Sequence, residues 1–167
     1  MKNPERLNLD RRQLNHCPVL HNEQRLRLLN YQHNTISHIQ NMENLPNLIF
    51  LDLYSNKVAS LEGSTDSCYK LIQLRKACTA GGLSCLHGLR VLMAGKNRIS
   101  RISNLQHMRK LDVLDLHSND IHTVGLIFIM HTQPSHRTFC QIEHLESLVA
   151  LRVLNLAGNQ IRYASRI

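Results

Sequence analysis

The sequence predicts an α/β solenoid, with short parallel strands on its concave face and 3-10 or irregular turns on its convex face. The pattern L-x-x-L-x-L-x-x-N-x-I runs from Leu111 to Ile121 and recurs along most of the chain. Its turn asparagine recurs at steps of 22, 41, 22 and 40 residues, which are one period of 22 or one period plus an insertion. Self-similarity at a fixed period of this length is typical of a stack of identical coils.

Each part of the pattern has a structural reason, and together they are the signature of a leucine-rich repeat. Alternation along a strand places Leu114 and Leu116 on one face, and only one face can be the core. An asparagine such as Asn119 suits the turn because its short amide can bond nearby backbone groups.

Six units can be aligned, although the first is degenerate and is either an N-terminal cap or a worn repeat. Arg12 stands where that unit should have its asparagine, and Cys17 fills a core position. In the fourth unit Ala94 occupies a leucine position, so its neighbours must fill the missing volume. Because no polar terminal repeat covers the last coil before Ile167, we expect this chain to be a fragment of a longer protein. We predict a single domain over 1–167.

Two insertions account for the long steps, at about 64–82 and 125–142. Removing either one restores the phase of the leucines on both sides. Both fall after the strand and turn of a unit, where extra chain disturbs the stack least. The first insertion could form a turn of helix, and the second, which contains Pro134, is predicted to be irregular. They are either genuine functional loops or unspliced or misassembled sequence, and the residues leave both interpretations open.

Composition sets the environment rather than the fold. The formal net charge is +8, which favours acidic partners. The two insertions carry +3 of it, from Lys70, Arg75, Lys76 and Arg137 against Asp66. Five cysteines without a C-x-x-C pair argue against a disulfide framework. The start has no apolar signal segment, and the longest apolar run is too short to cross a bilayer. We therefore expect a cytoplasmic protein that is not a membrane protein.

The outer half of each unit, I-x-x-I-x-x-L-x-x-L, resembles the intracellular 22-residue leucine-rich repeat class typified by the regulatory subunit of protein phosphatase 1. Within that class, segments such as LIFLDLYSNKV (48–58) and LDVLDLHSNDI (111–121) are similar to leucine-rich-repeat subunits of the tubulin polyglutamylase complex. The resemblance implies a non-catalytic scaffold among other protein subunits of a cytoskeleton-associated, microtubule-modifying assembly. The alternatives are a phosphatase-regulatory subunit or, less favoured, a ribonucleoprotein-associated repeat protein.

The candidate binding surface follows from the strand positions that alternate with the core leucines. Because exposed apolar patches and the inner curve of a solenoid commonly bind partners, we predict a protein-binding surface on the concave face. Its residues are Leu28, Phe50, Asp52, Tyr54, Val91, Met93, Val113, Asp115, His117 and Val153. The alternative for the apolar residues is ordinary strand packing. Tyr54 is the best single anchor candidate, because aromatic residues are enriched at binding hot spots, and the alternative is an ordinary exposed strand tyrosine.

A basic cluster in the fourth unit is a second, weaker candidate, and it is either a site for an acidic tail or phosphate or simply a solvated face. Its residues are Lys96, Arg98, Arg101, Arg109 and Lys110.

Catalytic and metal-binding patterns are weak by comparison. The sequence contains no G-x-S-x-G, no phosphate-binding glycine loop and no H-E-x-x-H. His136, Cys140 and His144 are spaced by four residues but lack a fourth ligand. The inner curve does not interleave aromatic and basic residues as nucleic-acid surfaces do. We therefore expect no enzyme activity, no cofactor, no metal and no nucleic-acid partner.

Overall fold

The computed structural model describes residues 5–61, 82–103, 105–122 and 145–161, and these form a six-stranded parallel sheet in which every strand lies beside its sequence neighbour. The strands have three residues each: β1 Arg6–Asn8, β2 Leu28–Asn30, β3 Phe50–Asp52, β4 Val91–Met93, β5 Val113–Asp115 and β6 Val153–Asn155. Sequential order without crossovers is the arrangement of a solenoid, because each repeat contacts only its neighbours. The predicted leucine-rich repeat solenoid is confirmed.

The strand register aligns the same position of every repeat. The central leucines pair side by side across the whole sheet, in the order Leu7, Leu29, Leu51, Leu92, Leu114 and Leu154. In two of these neighbouring pairs, Leu51 with Leu92 and Leu114 with Leu154, the leucines are 41 and 40 residues apart in sequence, yet their strands pair directly. The extra chain in these steps therefore does not interrupt the stack. Both predicted insertions lie outside the described residues, except for Gly82 at the edge of the first.

The core lies between the strands and the convex turns, and aliphatic side chains dominate it. Leu51, Leu92 and Leu114 are fully buried, as are Ala94 and Cys17 at the positions that the pattern assigned to the core. The core is less well buried at the last described coil, where the Leu154 side chain is 38% exposed. A repeat is buried by its neighbours, so a coil with a described neighbour on one side only shows more of its apolar surface.

The turn asparagines form a ladder that links each coil to the one before it. Asn97 accepts a hydrogen bond at Oδ1 from the Val58 N–H at 2.9 Å. Its Nδ2 donates to the carbonyl of Leu53 in the preceding coil and to those of Ala94 and Gly95 in its own. The same arrangement recurs at Asn34, Asn56, Asn119 and Asn159. The asparagine of the repeat is therefore a backbone connector between coils.

The Arg12 backbone N–H also donates to the Asn34 side chain, at 3.0 Å. The degenerate first unit is thus joined to the second through its own backbone N–H. This bond does not require an asparagine in the first unit.

The described parts of the convex side consist of tight turns, as predicted. Two described 3-10 helices lie there, η1 Leu83–Cys85 and η2 Leu145–Ser147. In the corresponding turn of another coil, the Met108 N–H donates to the Leu105 carbonyl, which is the same three-residue spacing. No helix within the described ranges is long and apolar enough to span a bilayer.

Candidate protein-binding surface

The first strand position forms an apolar row along the concave face. Strand register places its members beside one another on adjacent strands: Leu28, Phe50, Val91, Val113 and Val153. The first four are half-buried, and Val153 is 50% exposed. Adjacent strands lie about 4.8 Å apart, so the row is a continuous apolar strip rather than a scatter of single residues. We call these five residues the apolar row.

Two predicted members of the surface, Asp52 and Asp115, are less exposed than the strand alternation predicted. They are only 6% and 9% exposed. The Asp52 Oδ1 accepts a hydrogen bond from the Tyr54 N–H at 3.0 Å, and the side chain of Gln32 covers its other oxygen. A short carboxylate folds back readily onto the backbone two residues ahead.

These carboxylates therefore close the turn after the strand, and the alternation argument that placed them toward a partner was wrong on their exposure. Met93, which occupies the equivalent position on the strand between them, is half-buried.

Tyr54 lies at the centre of a group of rings just past the strand ends. The His33 ring meets it edge-on, with centroids 5.6 Å apart, and the His117 ring, two coils further along, lies 5.7 Å away. The Lys96 ammonium nitrogen lies over the tyrosine ring, 5.3 Å from its centroid. This distance is within the range of a cation–π interaction, which at exposed sites contributes roughly 0.5–1 kcal/mol. We call His33, Tyr54, Lys96 and His117 the Tyr54 cluster.

Gly95 makes the contact between His117 and Tyr54 possible. It is the equivalent residue of the coil that lies between theirs. A Cβ atom at this position would lie 2.3 Å from Cε1 of His117. Without that atom, the imidazole lies across the glycine and reaches the tyrosine. Its Nδ1 also lies 2.7 Å from Oδ1 of Asp115. This contact with the carboxylate orients the imidazole, so the arrangement of the cluster does not depend on a bound partner.

The sequence analysis named Tyr54 and His117 as separate candidates, and it predicted neither their contact nor the part played by His33. The left-handed backbone at His33 and Lys96, each with φ of 51°, is a turn property that the strand pattern does not reveal. Both residues directly precede a ladder asparagine, and that recurring position was a usable signal. The predicted basic cluster is divided between surfaces, since Lys96 follows β4 whereas Lys110 precedes β5, at the opposite end of the strands.

Buried titratable groups lie in the interior rather than on this surface. Burial raises the pKa of the Cys17 thiol from 9.0 to about 11, so the thiol stays protonated at neutral pH. Burial, with a smaller contribution from Cys17, raises the pKa of the Tyr31 hydroxyl as well. Neither group is poised for nucleophilic chemistry. The described residues contain no group of three or more His, Cys, Asp or Glu placed to hold a metal ion. His136, Cys140 and His144 lie outside the described residues.

Comparison with known proteins agrees with this architecture. A family model described as leucine-rich repeat matches residues 105–130. Human leucine-rich repeat-containing protein 49 is 51% identical over 65 residues, which cover 38% of this chain and 10% of that protein. The mouse protein of the same name is 54% identical over 46 residues, covering 28% of this chain and 7% of that protein. The matched part is thus about a tenth or less of these relatives' length.

Among solved structures, internalin C2 from Listeria monocytogenes superposes with a TM-score of 0.57 over 86% of this chain and 47% of its own, at 22% identity. At that identity the likeness shows the fold alone, and the fold is the leucine-rich repeat solenoid.

Proposed function

We propose that this leucine-rich repeat chain is a non-catalytic scaffold that holds partner proteins on its concave face, as a subunit of a cytoplasmic, microtubule-associated complex that polyglutamylates tubulin. The observation that carries the scaffold role is the apolar row, which lies on the same concave face as the preordered Tyr54 cluster. Leucine-rich repeat domains generally mediate protein–protein binding, and an extended concave sheet is the surface such repeats use.

The physical case for this surface is its combination of apolar area and rigidity. The apolar row supplies a strip that water covers poorly, and burial of such area gives about 25 cal/mol per Å² before the costs of association. Tyr54 adds an amphipathic ring of the type enriched at hot spots. Because its neighbours already fix this ring, binding loses little side-chain entropy, and preorganised anchors of this kind raise affinity.

Membership of the tubulin-modifying complex rests on similarity rather than on geometry. The support is the resemblance of the repeat segments to its leucine-rich-repeat subunits, together with 51% identity to human leucine-rich repeat-containing protein 49 over 65 residues. A phosphatase-regulatory role remains the second candidate, because the 22-residue repeat class includes such subunits. The apolar row favours a protein over a nucleic acid, since bases require aromatic platforms interleaved with basic residues.

The test is affinity purification from cells with the double variant Phe50→Asp and Val113→Asp. Two carboxylates in the apolar row would have to be desolvated on binding, so we expect the co-purifying partners to be lost. Val19→Asp with Val149→Asp is the matched control, because both valines are exposed and lie outside the row. We expect the control to retain the partners.

Far-ultraviolet circular dichroism and urea unfolding establish whether each variant is folded. If the row variant proves unfolded, Tyr54→Ala replaces it as the test. Unchanged partner recovery by a folded row variant would contradict a concave binding site. The recovered proteins then decide the assembly: tubulin-modifying subunits support our proposal, whereas a phosphatase or ribonucleoproteins support the alternatives.

A further inference from the structure

A basic cleft lies at the edge of the sheet where the strands begin, opposite the edge that carries the Tyr54 cluster. Its volume is about 470 Å³. Four of its nine lining residues are basic, two are amides, and the lining contains no carboxylate and no aromatic ring: Gln24, Arg25, Arg27, Pro46, Asn47, Ile49, Gly88, Arg90 and Lys110. The composition of this lining is suited to an anion.

The repeat geometry explains why these residues converge. Arg27, Ile49 and Arg90 each directly precede a strand, and the backbone hydrogen bonds of the sheet continue through them. Arg25 and Lys110 lie two residues before the corresponding position in their coils, as does Gly88 between them. Gly88 therefore contributes only backbone to the part of the lining between Arg25 and Lys110. The cleft is therefore a product of the 22-residue period.

The cations of the cleft are largely uncommitted. Among the described residues, no carboxylate lies within salt-bridge distance of Arg27, Arg90 or Lys110. Arg25 has a 3.7 Å contact with Glu5, and both side chains of that pair are more than half exposed. Such a surface pair is weak and can exchange partners. The lining has four cations and no carboxylate, so the cleft carries net positive charge.

The next coils show how an arginine at this edge binds a carboxylate. Asp112 and Arg152 occupy the same pre-strand position as Arg90. Arg152 donates from Nε to Oδ1 of Asp112 at 2.6 Å and from a terminal nitrogen to the second oxygen, which is a two-point fork. Arg152 holds the pKa of this carboxyl below its ordinary value, and Arg90 adds to the effect. Within the chain, this edge already recognises a carboxylate in the bidentate manner that arginine favours.

We propose that this cleft binds an extended acidic peptide segment of a partner protein, through its glutamate or aspartate carboxylates. Arg27 and Arg90 are two strands apart, which corresponds to about 10 Å. An extended chain in the polyproline II conformation has three residues per turn and advances about 3.1 Å per residue, so its side chains i and i+3 lie on one side about 9 Å apart and can present a carboxylate to each arginine. A single small anion could engage only one of them. The absence of an aromatic ring from the lining argues against stacked bases. This cleft is separate from the concave site and does not depend on it.

The experiment uses the chain and a fluorescent hexaglutamate peptide, with binding followed by anisotropy at low and moderate salt. We expect Arg27→Gln with Arg90→Gln to weaken binding by roughly tenfold or more, since two charge-assisted contacts are lost. Arg12→Gln with Lys57→Gln is the matched control, because it removes the same charge from exposed residues outside both the cleft and the basic cluster of the fourth unit. We expect this control to retain most of the affinity. Arg90→Lys keeps the charge without the fork, and its affinity should fall between these two.

Three results would overturn the proposal. The first is affinity within twofold of the parent for the cleft variant. The second is an equal loss in the control, which would mean that net charge alone attracts the peptide. The third is tighter binding of a single-stranded oligonucleotide of equal charge, lost in the same cleft variant, which would assign the cleft to nucleic acid. Urea unfolding of every variant establishes that each binding measurement is made on folded protein.

Discussion

Asn97 should contribute more to stability than most side chains in this protein, because it bridges two coils from within. Its Oδ1 accepts from the Val58 N–H, and its Nδ2 donates to the carbonyls of Leu53, Ala94 and Gly95. The residue is only 8% exposed. In Asn97→Ala these backbone groups lose their partner in a place that water reaches poorly.

The expected loss follows from what is left unsatisfied. One buried N–H loses its acceptor, and two amide hydrogens are withdrawn from three carbonyls. Each buried polar group without a partner costs roughly 1–3 kcal/mol. Carbonyls can share other donors, so we expect a total of about 3–5 kcal/mol for Asn97→Ala. That would be a large part of the roughly 5–15 kcal/mol by which a domain is usually stable.

The assay is urea unfolding followed by circular dichroism, with Asn159→Ala as the matched control. Asn159 makes the same type of bonds, to the Ile121 N–H and to the Leu116 and Leu156 carbonyls, but it is only half-buried. Water can replace its side chain, so its loss should be about 1 kcal/mol. The ladder argument would be refuted if Asn97→Ala destabilised the protein by less than about 1 kcal/mol, or if both substitutions had equal effects.

The remaining predictions concern the Tyr54 cluster and the interior. Gly95→Ala should displace the His117 ring and shift its NMR signals, whereas the control Gly88→Ala should leave those signals unchanged. Partner binding by Gly95→Ala should weaken by about 2- to 12-fold, the equivalent of one aromatic contact. An undisturbed His117 spectrum in the first variant would contradict this. Tyr31→Phe removes a buried oxygen that has no hydrogen-bond partner among the described residues, so urea unfolding should show a gain of about 1–2 kcal/mol, and a loss would count against it. Because burial raises the pKa of the Cys17 thiol from 9.0 to about 11, the folded state keeps a proton that the unfolded chain loses, and stability should fall as pH rises across that window. Urea unfolding as a function of pH measures the fall, and Cys17→Ala should have a flatter profile; an unchanged profile would refute the assignment.

The strand register and the core were predictable because they depend on period alone. A leucine every 22 residues must stack on its counterpart for either to be buried, and Leu51 therefore lies beside Leu92 despite the long step between them. The asparagine was predictable as a turn residue for the same reason. Its link to the preceding coil was not, because the pattern describes one coil at a time.

The chemistry of the surface was less predictable, because it depends on side-chain direction. Alternation places Asp115 away from the core, but it does not show that the carboxylate folds back beneath His117. The contact between His117 and Tyr54 depends on one missing Cβ at Gly95, which a list of column residues does not reveal. The alignment of Arg27 with Arg90 was predictable from the sequence. The register that aligns the first strand positions also aligns the residues that directly precede them.

The most direct test of the concave binding site is site-specific photo-cross-linking in cells, with a benzophenone amino acid at Val153 or at Val149. Both valines belong to the last described coil and are exposed, at 50% and 80%, but only Val153 lies in the apolar row. Val149 lies in the turn between η2 and β6. We predict that the probe at Val153 captures a partner protein and that the probe at Val149 does not. Capture at Val149 with none at Val153 would contradict the assignment of partner binding to the concave face.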